Sequence, residues 1–257
     1  MTQNDKSPLN IRWLYMSYLA FLFFILYGSV NQYTSLGIPP SSFVFEWEKN
    51  IPFIEEWILP YTMIYPMFIL AFLLPQSNRE LTLLAWRSLV IILFSVLIFL
   101  FFPLAFSFSK PETDHFNWFL EAVELVDLPF NQAPSLHVSF SVVLWYSLAK
   151  RVKVWWGKAL LALLFFTVAI STLFVYQHHF IDVITGAFVG FLSCYFIGKK
   201  SFNSLVKTED LKKALLLLIG SLLAVVLYFH VSFLFGFIFL LLVWWSVWIV
   251  FGTNNGR

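Results

Sequence analysis

The chain has 257 residues, of which 60% are apolar, 21% aromatic and 12% charged, with a formal net charge of +2. Soluble domains carry about 25% charged residues and a single core stops growing near ~250–300 residues, so this surplus of apolar surface excludes a soluble globular class and points to a membrane protein. With 32 Phe, 10 Gly and one Cys the chain is no collagen, coiled coil, disordered segment or disulfide scaffold, and so small a net charge gives no ground for a nucleic-acid partner.

A spanning helix needs about 20 mostly apolar residues. Candidate spans run over 13–30, 57–74, 82–106, 135–149, 158–176, 181–198, 213–230 and 232–251, which predicts an all-α polytopic membrane helical bundle. The first follows the polar leader MTQNDKSPLNIR and has no small-residue cleavage site after it, so it is read as a retained anchor. The fourth, SLHVSFSVVLWYSLA, is short and carries a histidine near its start; a polar group there marks a place to look for function. Cys194, inside the sixth span, is read as a small buried residue.

Orientation follows from Lys and Arg. With the N-terminus cytoplasmic, all 16 basic residues except Lys49 and Lys110 fall on or near the inner side, whereas Glu46, Glu48, Glu55, Glu56, Glu112, Asp114, Glu121, Glu124, Asp127 and Asp182 fall outside. The expected topology is therefore N-in, C-in. Two outer loops, 31–56 and 107–134, are long and rich in Pro, aromatics and acids, and a short amphipathic helix is expected around 116–126. Lys150-Arg151-Val152-Lys153 and Lys199-Lys200 read as inner anchors that could attract anionic lipid, and Trp244, Trp245 and Trp248 as an interfacial belt. No internal repeat, P-loop, dinucleotide-binding glycine pattern or zinc-type cysteine pair is found.

That topology brings His115, His137, His178 and His179 to the outer face with Asp182, leaving His230 as a structural residue. Ionisable groups at span ends are costly unless they face water or serve a site. In N-Q-A-P-S-L-H-V-S, residues 131–139, Pro134 and Ser135 suit a helix start whose free N–H groups and positive dipole end can hold phosphate, with His137 in the first turn. In S-T-L-F-V-Y-Q-H-H-F-I-D, residues 171–182, His178 and Asp182 would share one face if the segment is helical, the carboxylate orienting Nδ1–H and freeing Nε2 as base or nucleophile. Read blandly, these are a capped helix start and two histidines meeting water.

Pro134-Ser135-Leu136-His137, together with Ser171-Thr172, five residues, His178, three residues and Asp182, resembles two of the three blocks of the type-2 phosphatidic acid phosphatase superfamily, P-S-G-H and S-R-x5-H-x3-D. The resemblance covers about 100–200 and implies a six-span phosphatase or phosphotransferase core over 1–200, with two further membrane helices over 201–257. It implies His178 as the nucleophile, Asp182 as its orienting partner and His137 as general acid then base. Ser135, Leu136, Ser171, Thr172 and Lys110 would form the phosphate cradle. No metal and no cofactor is implied; the partners are a lipid phosphate or phosphodiester substrate and membrane lipids.

Three departures stand out. Leu136 replaces the glycine of the second block, Thr172 replaces the arginine of the third, and the first block, K-x6-R-P, survives only as Lys110-Pro111 with Pro103 where its lysine would stand. Phosphate binding then rests on Lys110, with Lys49 a further candidate, on the helix start and on the histidines. A site so poor in cations suits a less charged phosphodiester. The branch resembling inositol phosphorylceramide synthase and sphingomyelin synthase also lacks the third-block arginine.

The main expectation is a metal-independent integral-membrane phosphatase acting on lipid-linked phosphate at the non-cytoplasmic face through a phosphohistidine, in a bacterial inner membrane. The alternatives are a lipid phosphotransferase moving a phospho-head-group between lipids, a non-catalytic transporter or assembly protein retaining the fold, and a metal enzyme using His137, His178, His179 and Asp182.

Overall fold

The computed structural model describes residues 7–37, 40–75, 77–111, 113, 115–124, 128–198, 207–230 and 234–252. Its helices are α1 (Leu9–Ser35), α2 (Ile58–Thr62), α3 (Ile64–Leu73), α4 (Asn78–Phe101), α5 (Asn117–Glu124), α6 (Leu136–Ala149), α7 (Trp155–Phe174), α8 (Phe180–Gly198), α9 (Thr208–His230) and α10 (Leu234–Val247), the last continued by a π-helical turn Trp248–Gly252. Among the described residues, seven helical stretches are long and apolar enough to cross a membrane, and α6 is a shorter apolar helix. The all-α polytopic bundle expected from composition is the architecture observed.

Prolines explain where span boundaries differ from the hydropathy reading. The second span is not one helix: a 3₁₀ turn Glu55–Trp57 leads into α2, which stops at Thr62 before α3 restarts at Ile64. Pro66 has no N–H to give to the carbonyl of residue 62, so the ladder lapses there, and Thr62 Oγ1 turns back to Ile58 O (3.0 Å). The third span ends at Phe101 rather than 106, because Pro103 disfavours helical backbone at Phe102. The short amphipathic helix is α5; the expected end at 126, the first residues of the eighth span, Asp114 and Lys199-Lys200 lie outside the described residues.

Packing divides the chain into two compact units. One comprises Met1–Ser29, Phe72–Trp86 and Lys200–Arg257. Within it α9 and α10 pack together as a hairpin, Tyr18 Oη and Ser246 Oγ meet at 3.2 Å, and Phe251 packs on Trp86 with ring centroids 4.7 Å apart. Trp244, Trp245 and Trp248 are exposed, and His230 closes α9, also exposed.

The other unit comprises Val30–Ala71 and Arg87–Lys199. Its centre is the α6–α8 pair. Gly186 and Gly190, one turn apart, let α8 lie directly on α6: a Cβ at Gly186 would stand 2.4 Å from Ser135 O, and one at Gly190 2.8 Å from Ser139 O. Ser139 Oγ fills the contact by donating to Gly186 O (2.8 Å). Gly186→Ala should therefore lower the thermal unfolding midpoint, an overpacking loss of about 1–3 kcal/mol, and shift the start of α6. The same change at Gly28, where a Cβ meets nothing within 4 Å, should be close to neutral; equal effects at the two sites would refute the close approach.

Non-helical segments stitch together over the start of α6 and α8. Ala105 N–H donates to Ser41 O (3.1 Å), Phe106 N–H to Pro129 O (2.9 Å) and Asn31 Nδ2 to Leu128 O (2.9 Å). Tyr176 Oη donates to Ile51 O (2.8 Å), while its backbone adopts φ 53°, a left-handed conformation disfavoured for a side chain of this size. Packing of its ring on Phe53, Phe106 and Phe108 holds that conformation two residues before His178.

Candidate active site

The fourth span starts as its sequence suggests. Ser135 is the N-cap of α6 and its Oγ accepts from Val138 N–H (3.4 Å). Pro134 precedes the cap rather than occupying the first turn. Leu136 and His137 are the first two helical residues, so their N–H groups have no acceptor within the helix and the positive dipole end is left open. The His137 ring stacks on Tyr61 (4.1 Å between centroids) and meets Tyr65 edge-on (6.2 Å). Its Nε2 is buried without a hydrogen-bond partner among the described residues.

Tyr61 also belongs to a buried cluster with Ile58, Leu120, Val123 and Val175, so the amphipathic α5 helps to place the ring that flanks His137. Glu55 Oε2 receives the N–H groups of His115 (3.4 Å) and Phe116 (3.3 Å) just before α5 begins. His115 itself is exposed.

His178 and Asp182 do come together, but by a different local geometry from the helical face expected. His178 and His179 precede α8, and Asp182 stands in its first turn with Oδ2 reaching back to accept His179 N–H (2.7 Å). This return of the carboxylate to the helix start places Oδ2 3.5 Å from His178 Nδ1, both side chains being buried. His178 Nδ1 makes no hydrogen bond among the described residues, and Asp182 Oδ2 is the carboxylate oxygen it faces. Gln132, with its amide nitrogen facing the carboxylate, donates to Asp182 Oδ2 (3.2 Å) and to Gln177 O (3.0 Å).

The two helix starts are joined directly, since Ser135 N–H donates to Asp182 O (3.0 Å). His137, His178 and Asp182, which come from separate segments of sequence, thus share one end of the α6–α8 pair.

The remaining expected cradle residues are placed as follows. Ser171 and Thr172 are buried near the end of α7, with Ser171 Oγ donating to Val168 O (2.6 Å) and Thr172 Oγ1 to Ala169 O (2.7 Å). It is the carbonyl of Thr172 that shapes the site, accepting from Gln177 N–H (3.0 Å) and His178 N–H (3.1 Å). Lys110 is half-buried, a few residues beyond the Phe106–Phe108 stretch that surrounds His179. Lys49 is exposed and paired with Glu46 (2.7 Å).

Sequence reasoning missed a second buried pair. Glu48, only 1% exposed, turns Oε1 to Phe45 N–H (2.8 Å) and Oε2 to Phe180 N–H (2.8 Å), with Oε2 also 3.3 Å from His179 Nδ1. On the other side of the ring, Ser107 N–H donates to Nε2 (3.3 Å), so that nitrogen is the acceptor and the proton lies on Nδ1, toward Glu48. Phe106 stacks on the ring at 4.4 Å. The available signal was an acid inside the aromatic run F-V-F-E-W-E-K, where a solvated carboxylate has little reason to be; Gln132, beside the P-S-L-H block, was the other. Asp182 and Glu48 together occupy N–H groups at the start of α8, so the α6 start is the one left open to an anion.

Burial holds the His179 pKa below its ordinary 6.5, against the pull of Asp182 and Glu48. A histidine with a depressed folded-state value stabilises the fold above the unfolded value and loses that contribution as pH falls. The unfolding midpoint should therefore drop as pH is taken below 6.5, with a shallower slope in His179→Gln; parallel slopes would contradict this assignment.

The unit so described is that of an α-helical membrane protein carrying a His–Asp pair beside an open, histidine-bearing helix start. The family model of the PAP2 superfamily matches residues 84–204, which supports placing the chain in that superfamily and supports a membrane phosphatase-type enzyme. The matched stretch holds Ser135, His137, Thr172, His178 and Asp182; Glu48 and Tyr61 lie before it. No curated protein and no solved structure matches the chain.

Proposed function

We propose that the protein is a phosphatase of lipid-linked phosphate, working through a phosphohistidine at the non-cytoplasmic face of a bacterial inner membrane, with both termini inside. The observation that carries the reading is the direct joining of the His178–Asp182 pair to the open start of α6, which bears Ser135 and His137. The Lys and Arg distribution supports the sidedness. The core over 1–200 would hold the activity, and 201–257 would add two membrane helices.

Asp182 fixes the proton on His178 Nδ1 and leaves Nε2 with its lone pair toward phosphorus. The N–H groups of Leu136 and His137, with Ser135 and Lys110, receive the phosphate oxygens. As the N–P bond forms and the P–O bond breaks, His137 gives its proton to the leaving oxygen; it then takes a proton from water, whose oxygen displaces His178 and releases phosphate.

Transfer to a second lipid hydroxyl in place of water is the reading favoured by one observation: Thr172, with its hydroxyl held by Ala169 O, stands where the superfamily pattern has arginine. A diester bearing one negative charge needs less cationic support than a monoester. Trapping of acid-labile, base-stable label from phosphate-labelled and head-group-labelled lipids, with and without diacylglycerol or ceramide, tests both. Label on wild type and none on His178→Ala supports the phosphohistidine, and turnover that needs an acceptor lipid supports transfer. Absence of label and turnover in folded protein would favour a non-catalytic role.

A further inference from the structure

At the ends of α6 and α8 away from the histidines lies a group the chemistry above does not use. Arg87, in α4, is 3% exposed, and its guanidinium carbon stands 4.7 Å from the centre of the Tyr146 ring. Lys150 Nζ stands 4.3 Å from the same ring centre. A Cβ at Gly198, the last residue of α8, would lie 3.4 Å from Arg87 Nη2. Tyr146 itself is 37% exposed.

Two like charges on one aromatic ring repel, and a guanidinium this deeply buried normally has a carboxylate. Among the described residues none pairs with Arg87, and its Nε is buried with no hydrogen-bond partner. The carbonyl ends of α6 and α8 attract cations and account in part for the position of both. They do not use the donors: no hydrogen bond joins the guanidinium to those carbonyls among the described residues. The ring quadrupole likewise attracts the charge and leaves Nε unsatisfied. A guanidinium with an unsatisfied Nε, the ammonium of Lys150 and the phenol of Tyr146 together match a tetrahedral oxyanion.

We propose that Arg87, Lys150 and Tyr146 form a second anion site that takes a phosphate group, supplied by a lipid head group or by soluble phosphate. Along α6, Tyr146 stands about 14 Å and Lys150 about 20 Å from His137, and the proposal does not rest on the catalytic reading. The test uses the full-length protein purified in an uncharged detergent. Unfolding midpoints are followed while phosphatidylglycerol, a phosphate-free glucosyl diacylglycerol, or orthophosphate against chloride at equal ionic strength is added, for wild type, Arg87→Gln and Lys150→Gln. Phosphatidylglycerol should raise the wild-type midpoint and the glycolipid should not. Lys150→Gln should need about tenfold more phosphatidylglycerol for half the effect, the loss of one charge-assisted hydrogen bond, while its hydrolysis of a soluble phosphate ester is unchanged. Arg87→Gln should lose the response altogether; if that variant fails to fold, Lys150→Gln decides. An equal response to orthophosphate, weakened in the same variant, supports the site with a soluble ligand. Identical responses in wild type and Lys150→Gln, or none in wild type, would overturn the proposal and leave the two cations as partners of the helix ends alone.

Discussion

His178→Ala should abolish phosphate release from lipid substrates, by about 10⁴-fold or more, while the protein inserts and unfolds as wild type does. The expectation follows from the division of labour at the start of α8. The backbone of His178 is held by Thr172 O, and the carboxylate of Asp182 is held by His179 N–H and Gln132. Removing the imidazole leaves those supports in place, so the loss should be chemical rather than structural. Asp182→Asn retains an acceptor for His179 N–H but removes the negative charge behind His178, and should fall between alanine and wild type. Activity surviving in His178→Ala would end the phosphohistidine reading while leaving the fold untouched.

His137→Ala should cost about 10²–10⁴-fold with a lipid ester, the usual range for a positioned general acid. The more informative substrate is p-nitrophenyl phosphate, whose leaving group departs without a proton. With it the first step should survive, giving a stoichiometric burst of nitrophenol, and the second should stall for want of a base, leaving phosphate on His178. Equal impairment of both substrates with no trapped label would mean that His137 binds phosphate rather than moving protons. The Tyr61 stack makes this variant a fair test, since the ring below stays packed in the α5 cluster when the imidazole is removed.

Much of this was legible in the residues, for identifiable reasons. Spans were visible because long apolar runs need no partner to declare themselves, and Ser135 was visible as a cap because capping is local. Errors at Thr62 and Phe101 were also local, since each traces to a proline inside or just after an apolar run that hydropathy counts as continuous. The His178–Asp182 spacing brought the two side chains near each other by a geometry other than the one expected: a separation of four residues serves a helix face, and it also serves a carboxylate turning back across a helix start. Glu48 was hidden because its partners, Phe180 N–H and His179, lie 130 or so residues away and meet it only in three dimensions. The role of Thr172 was hidden because it acts through a carbonyl, which every residue possesses.

The shortness of α6 sets the depth at which this chemistry would occur. Its 14 residues span about 21 Å against a hydrocarbon core of ~30 Å, whereas α8 beside it has 19. Arg87 contacts both Tyr146, one turn before α6 ends, and the last residue of α8, so the two helices finish at nearly one level and the shortfall falls at the histidine end. The start of α6 is therefore recessed by about five residues, roughly 7–8 Å, below the level where its neighbour begins. On the proposed function, a lipid would present its phosphoester by settling slightly rather than by being lifted out of its leaflet, and the thickness of the surrounding bilayer would set its rate through hydrophobic mismatch.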